Sequence, residues 1–223
     1  MWTLPFLALV LGTSGCSGEQ EQGQEVAITA IKKLGGEIRL DGSGAVVTVV
    51  LDRSPVTDAS LEHLKGLTSV KTLSLRFTQV TGAGFEHLKG LTKLTTLYLP
   101  GSHVRDIGLE HLESVPTLVN LYLQETRISD AGLEHLKGLT NLRILYLDGT
   151  KVSDTGLEHL KGLTGLAGLY LHNTAVTDAG LEHLTLLTNL KELDLTKTNV
   201  TDAGVKKLQQ ALPNCRISHS PRT

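Results

Sequence analysis

The segment Asn141–Thr164, NLRILYLDGTKVSDTGLEHLKGLT, recurs almost unchanged along much of the 223-residue chain. Its histidine belongs to a column spaced by 24 residues: His63, His87, His111, His135, His159 and His183. Its leucines keep the same interval, for example Leu73, Leu97, Leu121, Leu145, Leu169 and Leu193. A fixed period of this length is typical of a solenoid, in which each unit packs only on its neighbours.

Each unit is predicted to contain a short strand, a turn and a short helix. Leu145 and Leu147 alternate with Tyr146, as in a strand with one buried face. The predicted inward set also includes Val152, Leu157, Leu160 and Leu163. A polar column is expected to hydrogen-bond the backbone of neighbouring turns: Ser54, Thr78, Ser102, Thr126, Thr150, Thr174 and Thr198. The third unit departs from the pattern at residues 113–116 (ESVP), which predicts a local change of the connection there.

The pattern LxxLxLxxTxVTDxGLxxLxxL resembles that of the leucine-rich repeat family, most closely its cysteine-containing subtype, with threonine at the cysteine position. Seven units cover residues 46–212. The resemblance implies an α/β leucine-rich repeat solenoid, with a curved parallel sheet on the concave face and short helices on the convex face. It also implies a non-enzymatic module that binds a protein or peptide on the concave sheet. Because repeats of this kind serve many partners, the fold leaves the partner's identity open.

The two ends of the chain predict a signal for export to the bacterial cell envelope and a cap at each end of the solenoid. Residues 1–15 resemble a bacterial lipoprotein signal, with Cys16 as the lipidated residue and residues 16–24 as a flexible tether. A plain secretory signal with an incidental cysteine is the alternative, which would give a secreted or periplasmic protein. Residues 25–45 are expected to form an N-terminal cap with one apolar helical face: Val26, Ala27, Ala30, Ile31 and Leu34. Residues 213–223 are read as a C-terminal cap and tail, with Cys215 buried.

Composition limits the function classes. The net charge of −2 argues against a nucleic-acid surface, which normally carries a basic stripe. No stretch reaches the roughly 20 apolar residues of a membrane span, so a lipid anchor is the only predicted membrane contact. The two cysteines lie near opposite ends of the chain, which argues against a fold held together by disulfide bonds. We expect a monomer without cofactor or metal.

The outward strand positions predict the candidate site. One column contains all four tyrosines of the chain, Tyr98, Tyr122, Tyr146 and Tyr170, and continues to Asp194. Tyrosine offers a large contact area with a polar tip, which suits a binding surface, although aromatic residues also stack simply to stabilise sheets. The adjacent column varies from unit to unit and adds further candidate binding residues: Arg76, Gln124, Asp148 and His172. The next column varies similarly: Phe77, Gly101, Glu125, Gly149, Asn173 and Lys197.

A catalytic site and a metal site are each less well supported by the sequence than a binding surface. The order Asp148, His172, Thr196 imitates an acid–base–nucleophile set, but an open sheet offers no oxyanion donors or enclosed pocket. The histidine column lies on the predicted helices, about 10 Å apart, which is too far for shared ligation of one ion. It is therefore expected to be a solvated convex face.

Two alternative functions use the same fold. A glycan or cell-wall binder would use the same concave face. Cysteine-type repeats also resemble substrate adaptors of eukaryotic ubiquitin ligases, but only a signal and a cap are predicted before the repeats, with no ligase-docking module.

Overall fold

The computed structural model of the protein describes residues 15–221, with side chains from 22 to 220. Residues 1–14 of the predicted signal and the side chain of Cys16 lie outside that description. Among the helices of the described part, none is both long enough and apolar enough to cross a membrane.

Nine strands form one sheet in the order of the chain, β1 to β9. Their bounds are β1 Glu37–Leu40, β2 Val46–Val50, β3 Thr72–Ser74, β4 Thr96–Tyr98, β5 Asn120–Tyr122, β6 Ile144–Tyr146, β7 Gly168–Tyr170, β8 Glu192–Thr198 and β9 Arg216–Pro221. Strand β1 pairs antiparallel with β2, and every later neighbour is parallel. The register advances by 24 residues at each step from β2 to β9, as the sequence period requires.

A short helical segment follows each strand from β2 to β8, so seven strand–helix units stack in a row. The α-helices are α1 Gly15–Lys33, α2 Asp106–Glu110, α3 Asp130–Leu133, α4 Asp154–Glu158, α5 Asp178–Leu181 and α6 Asp202–Ala211. The 3₁₀ segments are Asp58–Leu64, Ala83–Gly90, His111–Ser114, Glu134–Leu136 and Glu182–Leu184. This arrangement agrees with the predicted α/β solenoid.

The core is one continuous strip that runs from Ala27 to Cys215. Leu145 and Leu147 are fully buried, as are the other predicted inward residues of that unit: Val152, Leu157, Leu160 and Leu163. The hydroxyl column is buried too, except for the half-buried Ser54, but its bonding differs from the prediction. Each hydroxyl donates to the carbonyl three residues earlier in its own turn, at 2.6–2.8 Å. The column therefore closes each turn and does not link neighbouring units.

The N-terminal helix is longer than predicted. It begins at Gly15, so the segment read as a flexible tether is helical, and its glutamate and glutamine residues are good helix formers. Gln24 connects this helix to the β1–β2 hairpin, because its side chain donates to the Gly44 carbonyl and accepts from the Val46 amide, both at 3.1 Å. The predicted apolar face was wrong at Val26, which is exposed, whereas Ile28 packs against the core.

The third unit keeps its connection despite the changed sequence. Val115 is buried in the place that Leu91 and Leu139 fill in the neighbouring units, and the 3₁₀ segment His111–Ser114 still forms. The predicted local change is therefore absent. A smaller apolar side chain at the same position is enough to preserve the turn.

The helical side of the solenoid is joined by an aspartate ladder, which comprises Asp58, Asp106, Asp130, Asp154 and Asp178. Each carboxylate accepts from the backbone amide and the hydroxyl of a serine or threonine one unit later, at 2.5–3.2 Å. The ladder is interrupted at Gly82, where the backbone itself approaches the next unit: a Cβ added to Gly108 would lie 2.7 Å from Gly82 Cα.

Candidate binding surface on the concave sheet

The strand register aligns the four tyrosines into one row on the concave sheet. Tyr98 is paired with Tyr122, Tyr122 with Tyr146, and Tyr146 with Tyr170. Ser74 precedes the row and Asp194 follows it. The sequence analysis predicted this column, and the structure brings its members together as direct neighbours.

The tyrosine rings form a continuous stack, which we call the tyrosine ladder (Tyr98, Tyr122, Tyr146 and Tyr170). Successive ring centroids are 4.3, 4.8 and 3.9 Å apart, and the angles between ring planes are 22°, 14° and 3°. Each ring is half-buried. Since the ring faces cover one another, the ladder offers mainly ring edges and hydroxyl groups to the concave side.

Both ends of the ladder are held by polar groups. The Arg76 guanidinium lies over the Tyr98 ring, 4.3 Å from its centroid, in a cation–π contact. At the other end, the Tyr170 hydroxyl donates to Glu192 Oε2 at 2.5 Å. The ring of Tyr170 leans over Gly168, where an added Cβ would lie 3.1 Å from Tyr170 Cε2. Glycine at this strand position therefore leaves the room that the last ring occupies.

The hydroxyl groups of Tyr122 and Tyr170 hold their protons more tightly than a free tyrosine does. Burial and a hydrogen bond with Tyr98 raise the pKa of Tyr122 to about 12. Burial and the bond to Glu192 also raise the pKa of Tyr170. These two phenols therefore act as neutral donors and acceptors at physiological pH.

A polar network lies beside the C-terminal end of the ladder. The Thr196 hydroxyl donates to Asp194 Oδ1 at 2.7 Å, so it accepts from the His172 ring Nδ1, also at 2.7 Å. Asp148 Oδ1 accepts from the His172 backbone amide at 3.1 Å and not from its ring. The Asp148–His172–Thr196 order therefore does not form an acid–base–nucleophile relay, because its aspartate does not orient the imidazole.

The next column has a backbone conformation that the sequence analysis missed. Its members all have φ between 54° and 67°, in the left-handed region: Arg53, Phe77, Gly101, Glu125, Gly149, Asn173 and Lys197. A bulky residue such as Phe77 is rarely found there. Its ring is half-exposed and lies between Gly101 and the Arg53 guanidinium, which is 4.3 Å from the ring centroid. The available signal was Gly101, Gly149 and Asn173, because glycine and asparagine adopt the left-handed region most readily.

The concave surface also contains charged side chains that form no ion pair. No ion pair involves Arg53, Arg76, Asp148 or Asp194 among the residues that the structure describes. Burial raises the pKa of the Asp148 carboxyl, and the nearby Asp194 adds to this effect. Two predicted site residues also carry a buried atom with no hydrogen bond, Nε of Arg76 and Oε1 of Gln124.

On the convex side, charges are paired between exposed side chains. Lys137 contacts Glu134, Lys161 contacts Glu158, and Lys207 contacts Glu182 of the preceding unit, at 2.7–3.2 Å. The histidine column is half-buried and not fully solvated as predicted, and His135 Nδ1 lies 2.9 Å from Glu113 Oε1. Within residues 15–221, no cluster of three or more histidine, cysteine or acidic side chains could hold a metal ion.

Comparison with known proteins identifies the architecture. Residues 138–161 and 187–208 match the family model described as Leucine Rich repeat. Internalin C2 (inlC2) from Listeria monocytogenes has a similar structure, with a TM-score of 0.57 and 22% identity over 88% of this chain and 92% of that chain. The fold is that of a leucine-rich repeat solenoid.

Further solved leucine-rich repeat structures resemble this solenoid less completely. The internalin inlF from the same organism gives a TM-score of 0.55 and 21% identity, over 77% of this chain and 52% of that chain. The plant peptide hormone receptor RGFR1 in complex with RGF2 gives a TM-score of 0.51 and 15% identity, over 72% of this chain and 26% of that chain. Identities this low establish the fold alone. No curated protein sequence matches this chain.

Proposed function

We propose that this leucine-rich repeat protein is a non-enzymatic binding module that takes a protein or peptide on its concave sheet, centred on the tyrosine ladder. The observation that carries the proposal is the half-buried four-ring stack, aligned across four strands and bordered by unpaired charges. Tyrosine loses little conformational entropy on binding and combines apolar contact with a polar tip.

The ring geometry favours a polypeptide over a glycan. Sugars stack on an open aromatic face, but each internal ring of the ladder has both faces covered by its neighbours. At the Tyr98 end, the Arg76 guanidinium covers the outer face. Ring edges and neutral hydroxyls suit the carbonyls, amides and side chains of an extended polypeptide. The structural neighbour RGFR1, a peptide hormone receptor solved with RGF2, shares the fold and is compatible with this mode.

The binding test compares two faces of the same units. One variant changes the ladder to alanine at Tyr98, Tyr122, Tyr146 and Tyr170. The matched control changes one exposed convex glutamate per unit to alanine: Glu110, Glu134, Glu158 and Glu182. Circular dichroism and thermal melting first establish that both are folded. We expect partners retained from an envelope extract by the wild type and the control to be lost from the ladder variant. Equal retention by the ladder variant would refute the concave site.

We further propose that the protein is attached to the bacterial cell envelope by a lipid on Cys16. The support is the sequence pattern of the first 16 residues, with the cysteine after a small residue. Changing Cys16 to serine should move the protein from the membrane fraction to the soluble fraction and abolish incorporation of labelled fatty acid. A wild-type protein that is soluble and unlabelled would instead support the secreted or periplasmic alternative.

A further inference from the structure

We infer that the segment bound by the concave sheet carries an acidic and a basic side chain about four to seven residues apart. The acidic side chain pairs with Arg76, and the basic one pairs with Asp148 or Asp194. The inference rests on the proposed function of the concave sheet and specifies the chemistry of its partner. It follows from how charge is distributed along the tyrosine ladder.

The N-terminal end of the ladder presents cations that aromatic rings hold in place. The guanidiniums of Arg76 and Arg53 each lie 4.3 Å from a ring centroid, over Tyr98 and Phe77. The nearby carboxylate of Asp52 accepts from the Ser74 hydroxyl and the Arg76 backbone amide, and it forms no ion pair with either guanidinium. Arg76 Nε is buried without a partner in the protein. A carboxylate on the partner would supply a counter-charge to the guanidinium, through its terminal nitrogens rather than the buried Nε.

The C-terminal half of the surface is acidic. Its carboxylates belong to Glu125, Asp148, Glu192 and Asp194, and Lys197 is the basic side chain at its border. Asp148 is half-buried and receives only amide hydrogen bonds, while Asp194 receives bonds from Thr196. Neither carboxylate forms an ion pair with a basic side chain of the described chain. The His172 imidazole is a nearby basic group that favours the charged form of Asp148. Arg216 on β9, opposite Glu192 in the register, borders the same surface as Asp194 without an ion pair to it.

The strand spacing sets the distance between the two charges of the partner. Asp148 is three strands from Arg76, and Asp194 is five strands from it. At about 4.8 Å per strand, these separations are roughly 14 and 24 Å. An extended chain advances about 3.3 Å per residue, which gives about four to seven residues between the acidic and the basic side chain.

The contrast with the convex side supports a charged partner. There, three lysines (Lys137, Lys161 and Lys207) form ion pairs with glutamates of the same or the adjacent unit. On the concave sheet the half-buried charges lack such pairs, and complementary charges fix the register of a partner more than they add affinity. The segment is therefore expected to run along the ladder in one orientation relative to the solenoid.

The test selects peptides from a random dodecapeptide library displayed on phage against the immobilised full chain. Parallel selections use Arg76→Glu, the double variant Asp148→Asn/Asp194→Asn, and the four-tyrosine alanine variant. The asparagine changes keep the oxygen that accepts the existing hydrogen bonds. Arg76→Gln, which removes the charge without reversing it, replaces Arg76→Glu if thermal melting shows that the reversal unfolds the protein.

In wild-type selections, peptides with an acidic and a basic residue four to seven positions apart, in one fixed order, should rise about threefold in frequency over the starting library. Arg76→Glu should remove the acidic preference, and the double variant should remove the basic one. Ladder-dependent enrichment without this charge pattern would overturn the inference while leaving the proposed function standing. Enrichment that does not depend on the ladder, or none at all, would overturn both.

Discussion

The two faces of the solenoid satisfy their polar groups in different ways. On the helical side, each aspartate of the aspartate ladder accepts at least two hydrogen bonds from the next unit, and three lysines pair with glutamates. On the concave side, tyrosine rings stack across the strands, while Arg76, Asp148 and Asp194 have no ion pair among the described residues. Polar side chains on the helical side thus join one unit to the next, whereas the concave side retains unused hydrogen-bonding and charge capacity.

This difference separates two causes of repetition. The aspartate ladder and the core leucines repeat because each unit must pack on the next one. The tyrosine ladder repeats across four units only, and the residues of the columns beside it vary along the sheet. Changes on the helical side should therefore alter stability, and changes on the concave side should alter binding more than stability.

The largest stability effect is expected at Gly84, where the helical side is most tightly packed. A Cβ at this position would meet the Asp58 backbone, with the carbonyl carbon and the Cα both at 2.8 Å. Backbone cannot move aside as a flexible side chain can. We expect Gly84→Val to lower the free energy of unfolding by about 3 kcal/mol, measured by urea denaturation.

The matched control for this change is Gly138→Ala. Gly138 is exposed, has no atom within 4 Å of an added Cβ, and has no left-handed φ. Its replacement should be neutral or stabilise by up to about 1 kcal/mol through the unfolded state. Similar losses in both variants would mean that close packing between units is not what Gly84 provides.

A smaller loss is expected when the aspartate ladder is cut at Asp154. Alanine removes the bonds from the Thr177 amide and hydroxyl, both 2.7 Å long. Because water replaces part of what is lost at this half-buried site, we expect a cost of about 2 kcal/mol in urea denaturation. Asp154→Asn keeps one acceptor oxygen and should cost about half as much.

The last unit supplies a control for the Asp154 variant of the aspartate ladder. Asp202 occupies the same position as Asp154, but its side chain is almost fully exposed and its contact is His219 Nδ1 at 3.3 Å. Asp202→Ala should cost about 0.5 kcal/mol, the usual contribution of an acidic residue near a helix N-terminus. If Asp154→Ala costs no more than this, the hydrogen bonds of the aspartate ladder do not contribute to the packing of neighbouring units.

The architecture could be predicted from sequence because one register fixes every unit. Once Leu145 and Leu147 are placed inward, the period assigns all the other columns, including the row of tyrosines. The cap was less predictable. Val26 and Ile28 are both apolar, and only the packing of α1 against the sheet decides which one is buried.

The details of the site escaped prediction for a different reason. The order of columns cannot reveal that Arg76 lies over Tyr98, or that Tyr170 leans over Gly168, because both depend on side-chain rotamers. The left-handed backbone at Phe77 was hidden because most residues of its column are not glycine. The sequence therefore predicts which residues are neighbours, and it leaves open which of their polar atoms remain unpaired.

On the concave side, Tyr146→Ala should have a moderate effect on stability and a larger one on binding. Its ring lies between Tyr122 and Tyr170, so alanine removes two stacked contacts. We expect a loss of about 1–2 kcal/mol in urea denaturation. Tyr146→Phe keeps the stack and should cost less than about 0.5 kcal/mol. If phenylalanine is as costly as alanine, the hydroxyl chain and not ring stacking holds the ladder together.

The smallest change in stability is expected for Asp148→Asn, and this variant should be more stable than the wild type, unlike the others. Burial raises the pKa of its carboxyl above the ordinary value of 3.8, so the folded state holds the proton more tightly than the unfolded state. Stability should therefore fall as pH rises from 3.8 through the folded pKa and remain lower at neutral pH. Asp148→Asn stays neutral and keeps an acceptor for the His172 amide.

We expect Asp148→Asn to raise Tm by up to about 2 °C at pH 7 and to leave it unchanged at pH 3, measured by calorimetry. The same variant should weaken binding of peptides with a basic residue, as scored by fluorescence anisotropy on peptides selected with the wild type. A gain in stability together with a loss of binding would indicate that the Asp148 charge serves binding. Replacing a residue with a purely structural role would not raise stability while weakening binding. If stability falls at pH 7, the Asp148 charge is compensated within the fold, and the concave side is as self-sufficient as the helical side.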